Sequence, residues 1–326
     1  MKRKDVVFCI NDAYVPYVLI ALTSILDTNR DGVVVVHILT DGITDRNLSR
    51  LSTAVGKRGE LYVYKVDDTP LRKLNMQWSI YTWYRILIPH YLSNVSRCLY
   101  LDADVIVAGD VTQLFEIDMT NKSIAGTVDK ETYNDTTFQR LAYPKNLGYV
   151  CAGVLLMNLD YWREHDLAQS IIEFSQTHAD KIVFPDQDAI NYVCRETKVM
   201  LPLAYDIIHP FVTDERILKD RAGEIVEMLE NPKIIHYAGF FPWFFETDKH
   251  ILREYWAKYN VMSGVGMKKR YMYRGFARVK HGIKIVLDSL HLYDYKPWFR
   301  TTPRTSVEEV KNKIRNWTDG KTHRIH

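Results

Sequence analysis

Read from its amino terminus, the chain switches repeatedly between two hydrophobic rhythms. Val6 to Ile10, Val33 to Leu39, Leu61 to Val66 and Cys98 to Leu101 are short apolar runs rich in β-branched residues, the pattern of buried strands. Tyr14 to Asp27 and Thr44 to Val55, which lie among them, repeat apolar residues at helical spacing. Strands alternating with helices predict an α/β fold with an open, mostly parallel central sheet flanked by helices. In such sheets ligands sit beyond the carboxyl ends of the strands. Polar residues just after a strand are therefore the first candidates for chemistry. Two places qualify: Asn11-Asp12 after the first run, and Asp102-Ala103-Asp104 after Cys98 to Leu101.

Composition changes the picture in three ways. At 326 residues, 47% hydrophobic and 25% charged, the chain has the make-up of a soluble protein able to bury a sizeable core. Its four cysteines, Cys9, Cys98, Cys151 and Cys194, form no CxxC pair, which argues against a zinc ribbon or a disulfide scaffold and for a reducing compartment. The first apolar run stops at Asn11-Asp12, too early for a signal peptide, and no stretch approaches the roughly 18 apolar residues of a spanning helix. The expectation is a cytoplasmic protein that does not cross a membrane.

Charge is unevenly distributed. Residues 261–326 carry +10, against −7 for residues 1–260, and Gly264 and Gly266 sit at the junction. We therefore expect a catalytic domain over 1–260 and a basic helical tail over 261–326. Between Tyr273 and Tyr293, Phe276, Val279, Ile283, Val286, Leu287 and Leu290 recur at helical spacing among Arg274, Arg278, Lys280, His281 and Lys284. That is the pattern of an amphipathic helix lying in an anionic membrane interface, with Tyr271, Tyr273, Trp298 and Phe299 as interfacial aromatics. The same pattern fits a helix packed on the domain with a solvated basic face. No nucleic-acid-binding signature accompanies the charge, so nucleic acid is not an expected partner.

The sharpest local feature is Leu99 to Val107, in which Asp102 and Asp104 are bracketed by apolar β-formers. Unpaired carboxylates are strongly disfavoured in such surroundings, and a bound cation removes the penalty. Mg²⁺ and Mn²⁺ take oxygen ligands from carboxylates and phosphates, so Asp-x-Asp at a strand end suits a metal that bridges protein and diphosphate. By itself so short a pattern also describes a solvated surface turn.

The surrounding segments resemble glycosyltransferase family 8, retaining α-hexosyltransferases that include lipooligosaccharide galactosyltransferases and lipopolysaccharide glucosyltransferases. They run in family order: Val7 to Tyr14, Thr82-Trp83-Tyr84-Arg85, Leu99 to Val107, Ala152 to Leu159, Pro185 to Asn191, and His236-Tyr237-Ala238-Gly239. The resemblance implies a GT-A-type nucleotide-sugar-binding fold, a UDP-hexose donor and Mn²⁺ (or Mg²⁺) held by Asp102, Asp104 and His236. It implies that Asn11, Asp12, Ala13 and Tyr14 meet uracil and ribose, and that Arg85 and the Asp102-Ala103-Asp104 turn bind the donor. Asp186 would bond hexose hydroxyls, Gln187 would lie near the anomeric carbon, and Asp129 would line the cleft between donor and acceptor. An amide is a poor nucleophile, which favours front-face substitution with retention over a covalent intermediate. The acceptor implied is a saccharide, lipid-linked if the tail docks on the inner face of the cell membrane.

The sequence departs from the family pattern at three points. Asn11 and Cys151 stand where a carboxylate and an asparagine are frequent, and Phe241 precedes Pro242-Trp243 where related galactosyltransferases carry a lysine. A phosphate contact from Lys249 or a backbone amide would have to substitute. Two other readings remain open at this level: a nucleotidyltransferase, which also uses paired aspartates, and a non-catalytic nucleotide-sugar-binding protein.

Overall fold

A computed structural model describes residues 3–74, 79–273, 275–289 and 304–322. Nine strands are present among them: β1 Arg3–Cys9, β2 Val33–Thr40, β3 Gly59–Lys65, β4 Arg97–Leu101, β5 Val105–Val107, β6 Ile124–Val128, β7 Val150–Asn158, β8 Lys198–Leu201 and β9 Ile234–His236. The longer helices are α1 Val15–Thr28, α2 Asp45–Val55, α3 Leu167–Thr177, α4 Pro185–Val193, α5 Ala222–Glu230, α6 Arg253–Met262, α7 Gly275–Ser289 and α8 Val307–Thr322.

Seven strands form one sheet in the order β3-β2-β1-β4-β7-β6-β8. β3, β2, β1 and β4 are parallel neighbours; β7 runs against both β4 and β6, and β8 is parallel to β6. The sheet is thus mostly parallel with one reversed strand inside it. Alternation along β1 sends its side chains to opposite faces: Val6 and Phe8 join α1 and α2 in one core, and Val7 and Cys9 join Trp83, Tyr84 and Tyr100 in another. This two-sided burial explains why the strand reads as an almost unbroken apolar run.

The strand expected from Leu61 to Val66 forms as β3 but is not buried. Tyr62 and Val63 are exposed, because β3 is the outermost strand and only one neighbour covers its edge. An apolar count does not distinguish an edge strand from a central one.

A second, two-stranded sheet decides the position of the site. β5 follows directly from the Asp102-Ala103-Asp104 turn and pairs antiparallel with β9, setting Val105 opposite His236. Tyr237 N donates to Asp104 O at 2.9 Å, extending the pairing by one step.

Beyond α6 the chain remains attached to the body. Arg304 reaches the buried carboxylate of Asp248 at 2.7 Å, Lys269 bonds the same carboxylate, and α8 buries Val310 and Ile314 in the core cluster that includes α5. α7 differs. Val279, Ile283 and Val286, one helical face, are 57%, 55% and 55% exposed. Of the residues expected on or near this helix, Arg274, Leu290, Trp298 and Phe299 lie outside the described residues, as does the side chain of Phe276. Among the described residues no helix is long and apolar enough to cross a membrane.

Candidate active site

The carboxyl edge of the sheet collects the polar residues singled out above into two adjoining stretches. After β1, Asn11, Asp12 and Ala13 line a shallow pocket with Asp41 and Gly42, which follow β2, and with Tyr81. Asp12 Oδ1 accepts from Thr44 N (2.8 Å) and Thr44 Oγ1 (3.0 Å), tying this turn to the start of α2. Tyr81 OH donates to Asp41 Oδ2 at 2.7 Å. Asn11 Oδ1 is buried and has no hydrogen-bond partner in the structure, leaving an acceptor in a wall otherwise well satisfied. Tyr14 is half-exposed, its ring tilted at 42° against that of Tyr17.

The second is a cleft of about 650 Å³. Arg85, Asp102, Asp104, Asp129, Asp186, Gln187 and His236 all line it, drawn from five separate segments of chain. Ala103 does not; its methyl packs among apolar neighbours between the two aspartates. Register explains the gathering. Asp102 N donates to Gly153 O at 2.8 Å as β4 pairs with β7, and the β5–β9 pairing delivers His236.

Arg85, almost fully buried, is a cross-link. Its Nη2 lies 3.0 Å from Asp102 Oδ1 and its Nε 3.0 Å from Asp186 Oδ2; it also donates to the carbonyls of Thr82 and Ala152, with its guanidinium above the Tyr100 ring. The arginine expected to reach the donor thus holds the two carboxylates in register as well. Gln187 Oε1 accepts from Ala152 N at 2.8 Å, which fixes the amide against the floor. Asp188 faces the other way: Arg140, Tyr149 OH and the backbone N–H groups of Val183 and Phe184 all bond its buried carboxylate, anchoring the start of α4.

Asp129 lies at the end of β6 with Oδ1 accepting from Glu131 N at 2.9 Å; burial pushes its pKa up to about 6. Burial also raises Asp102, with Arg85 opposing and Asp104 adding to the rise. Burial acts to lower the pKa of His236, but Asp104 and then Asp206 outweigh it and hold the ring well above the usual histidine range.

Asp102, Asp104 and His236 form a cluster of three oxygen and nitrogen donors within 4.8 Å of one another. His236 Nε2 is 3.4 Å from Asp104 Oδ1 and 3.8 Å from Asp102 Oδ2. Gly153 leaves them room: a Cβ there would lie 2.1 Å from His236 Cε1 and 2.9 Å from Asp102 Oδ2. Two carboxylates and an imidazole in a space kept clear of side chain fit a hard or borderline divalent ion.

Several lining residues escaped the sequence reading. Lys130 is one, joining the expected Arg85 on the cleft wall, whereas Lys249, suggested as a phosphate contact, is not among the lining residues. Phe184, Ile208, Pro210, Phe240 and Phe241 make an apolar side. Asp206, buried behind His236, bears no signal beyond being one acidic residue between Tyr205 and Ile207.

A mostly parallel sheet with one reversed strand, and a carboxylate-rich cleft at its carboxyl edge, define a GT-A-type glycosyltransferase. The chain belongs to glycosyl transferase family 8, whose model matches residues 5–247. It is 27% identical over 248 residues to a lipopolysaccharide 1,2-glucosyltransferase of Escherichia coli K12, covering 73% of this chain and 72% of that protein. It is 26% identical over 181 residues to a lipopolysaccharide 1,3-galactosyltransferase of Salmonella typhimurium LT2, covering 53% and 54%. Among solved structures, the galactosyltransferase LgtC in complex with donor and acceptor sugar analogues superposes with a TM-score of 0.69 at 22% identity, over 79% of this chain and 95% of that one. GlyE of Streptococcus pneumoniae TIGR4 gives 0.63 at 22%, over 91% and 66%. Membership sets aside the nucleotidyltransferase and the non-catalytic readings: the protein is a glycosyltransferase.

Proposed function

We propose that the protein transfers a hexose, glucose or galactose, from a UDP-sugar to a saccharide acceptor with retention of configuration, using Mn²⁺ or Mg²⁺. The observation that carries this reading is the convergence of Asp102, Asp104 and His236 beside Asp186 and Gln187 in one cleft. Asp102, Asp104 and His236 would hold the divalent ion, which would offset the negative charge that grows on the leaving diphosphate. Asn11, Asp12, Ala13 and Tyr14 hold the uridine end of the donor. Asn11, Asp12 and Ala13 line the shallow pocket that would take the base. Arg85 keeps Asp102 and Asp186 at fixed separation, so donor phosphate and donor sugar are gripped by one rigid unit.

Asp186 bonds hexose hydroxyls, and Gln187, with its carbonyl engaged by Ala152 N, presents its amide group to the sugar ring. Asp188, one residue further on, is turned away and held by Arg140, Tyr149 and two backbone N–H groups, so the side chain at that point is an amide. Attack by the acceptor hydroxyl on the face the diphosphate leaves therefore accounts for retention better than an enzyme-bound intermediate. Lys130, on the cleft wall, is a cation suited to meet donor phosphate or an anionic acceptor.

The acceptor in this reading is a lipid-linked cell-envelope saccharide, as the names of the lipopolysaccharide glycosyltransferase relatives suggest. The exposed Val279–Ile283–Val286 face of α7, flanked by Arg278, Lys280 and Lys284, supports peripheral binding at the cytoplasmic face of an anionic membrane. The test is UDP release from UDP-glucose or UDP-galactose with and without Mn²⁺. We expect metal-dependent donor hydrolysis that disappears in Asp104→Ala; no turnover or binding of either donor with metal present would sink the hexosyltransferase reading.

A further inference from the structure

Behind the cleft, at the other nitrogen of the His236 ring, sits Asp206, which has no solvent exposure. Its Oδ1 lies 2.9 Å from His236 Nδ1, and its Oδ2 is buried without a hydrogen-bond partner. A carboxylate sealed inside a protein with one partner is costly to maintain, so its effect on that partner is the place to look for its role.

The backbone holds the pair together. Ile207, the next residue, donates its N–H to Ile234 O at 2.8 Å and accepts from His236 N at 3.0 Å, so it is bonded into β9 on both sides. Asp206 N in turn donates to Leu203 O at 3.2 Å. The aspartate therefore cannot drift from the ring without breaking strand pairing. Cys151 Sγ also approaches Nδ1, at 3.8 Å, but a thiol is a weaker acceptor than a carboxylate.

We propose that Asp206 is a positioning residue for cation binding: it accepts the hydrogen bond from His236 Nδ1–H, which leaves Nε2 bare and aims it at Asp102 and Asp104. This rests on the metal-dependent reading above. A ligating imidazole is neutral, the cation taking the place of the Nε2 proton that Asp104 favours, and of the two neutral forms only the one protonated at Nδ1 presents a lone pair to the cleft. A free histidine must also fix its ring orientation on binding metal; here Asp206 on one side, and the gap left by Gly153 on the other, fix it beforehand. Asp206 does not reach the ion itself, since it bonds the nitrogen turned away from Asp102 and Asp104. Such outer carboxylates govern metal affinity by about 10- to 100-fold in other sites.

The experiment uses the full chain and Mn²⁺ alone, with free Mn²⁺ read by electron paramagnetic resonance and no donor present. Asp206→Ala is expected to weaken Mn²⁺ binding by about 10- to 100-fold. Asp206→Asn, which keeps a carbonyl acceptor at the same point, recovers a large part of the loss. In donor hydrolysis the Mn²⁺ concentration for half-maximal rate rises in Asp206→Ala while kcat returns at saturating metal. A folded Asp206→Ala that binds Mn²⁺ like the unaltered protein overturns the proposal, as does a loss of metal-free thermal stability with unchanged affinity of the folded fraction. If the alanine variant does not fold, ¹⁵N-histidine spectra of the unaltered, Mg²⁺-loaded protein decide: a proton on His236 Nδ1 supports the proposal and one on Nε2 overturns it. Failure of the unaltered protein to bind Mn²⁺ would instead remove the metal reading on which both stand.

Discussion

Asp129 is the residue whose surroundings say most about pH. Burial raises its pKa to about 6, so the folded protein prefers the neutral carboxyl. The sign follows: stability associated with the neutral form is fully present below the unfolded value near 4 and is lost as pH rises through about 6. Asp129→Asn, which keeps the acceptor for Glu131 N, is expected to gain on the native protein by as much as about 3 kcal/mol between pH 4 and pH 6 in denaturant unfolding. A constant difference across that range would show that Asp129 is ionised throughout. The site residues were legible in the sequence to different degrees, for a physical reason. Asp102 and Asp104 interrupt an apolar strand run, and Asp186 and Gln187 open a helix behind a proline, so each is conspicuous locally. His236 was reached only through family resemblance, and Asp206 not at all. Their meaning arises from pairing between segments about a hundred residues from the Asp-x-Asp turn, which no local pattern records.

At the scale of elements, α7 is the clearest case of a pattern that sequence left with two outcomes. Its apolar spacing fitted either packing on the domain or lying in a membrane, and in the structure Val279, Ile283 and Val286 face outward. Replacing all three with serine is expected to reduce co-sedimentation with vesicles containing acidic phospholipid by at least tenfold, at about 0.8 kcal/mol per buried CH₂ withdrawn, while soluble donor hydrolysis is unchanged. Unchanged sedimentation would remove α7 as the docking element. β3 shows the opposite limit. Its apolar residues identified a strand correctly, but its place at the sheet edge, and hence its exposure, depends on which strands lie beside it.

For the whole molecule, the basic C-terminal stretch is two things. α7 offers its apolar face outward, whereas residues 304–322 return to the catalytic body through Arg304 and α8. The exposed pairs Lys311–Glu230 and Lys313–Glu215 add little to that return, because solvent screens them. Burial of Val310 and Ile314 carries it. Ile314→Ala is expected to cost about 2 to 4 kcal/mol in thermal or denaturant unfolding, and Lys311→Ala far less; equal effects would mean that charge, not packing, holds α8 in place. The α/β class and the existence of the first four strands could be read from periodicity, because each element there is local; their order in the sheet could not. The attachment of the tail could not, since it depends on a surface formed by α5 and its neighbours.

The β5–β9 pairing also has a consequence in time. During synthesis Asp102 and Asp104 emerge from the ribosome more than a hundred residues before His236, and β5 has no partner strand until β9 follows it. The three donors can thus come together only after every strand of the seven-stranded sheet has been made. A product of translation that stops short of β9 has every strand of the main sheet but lacks His236, and with it one of the three donors of the proposed cation centre.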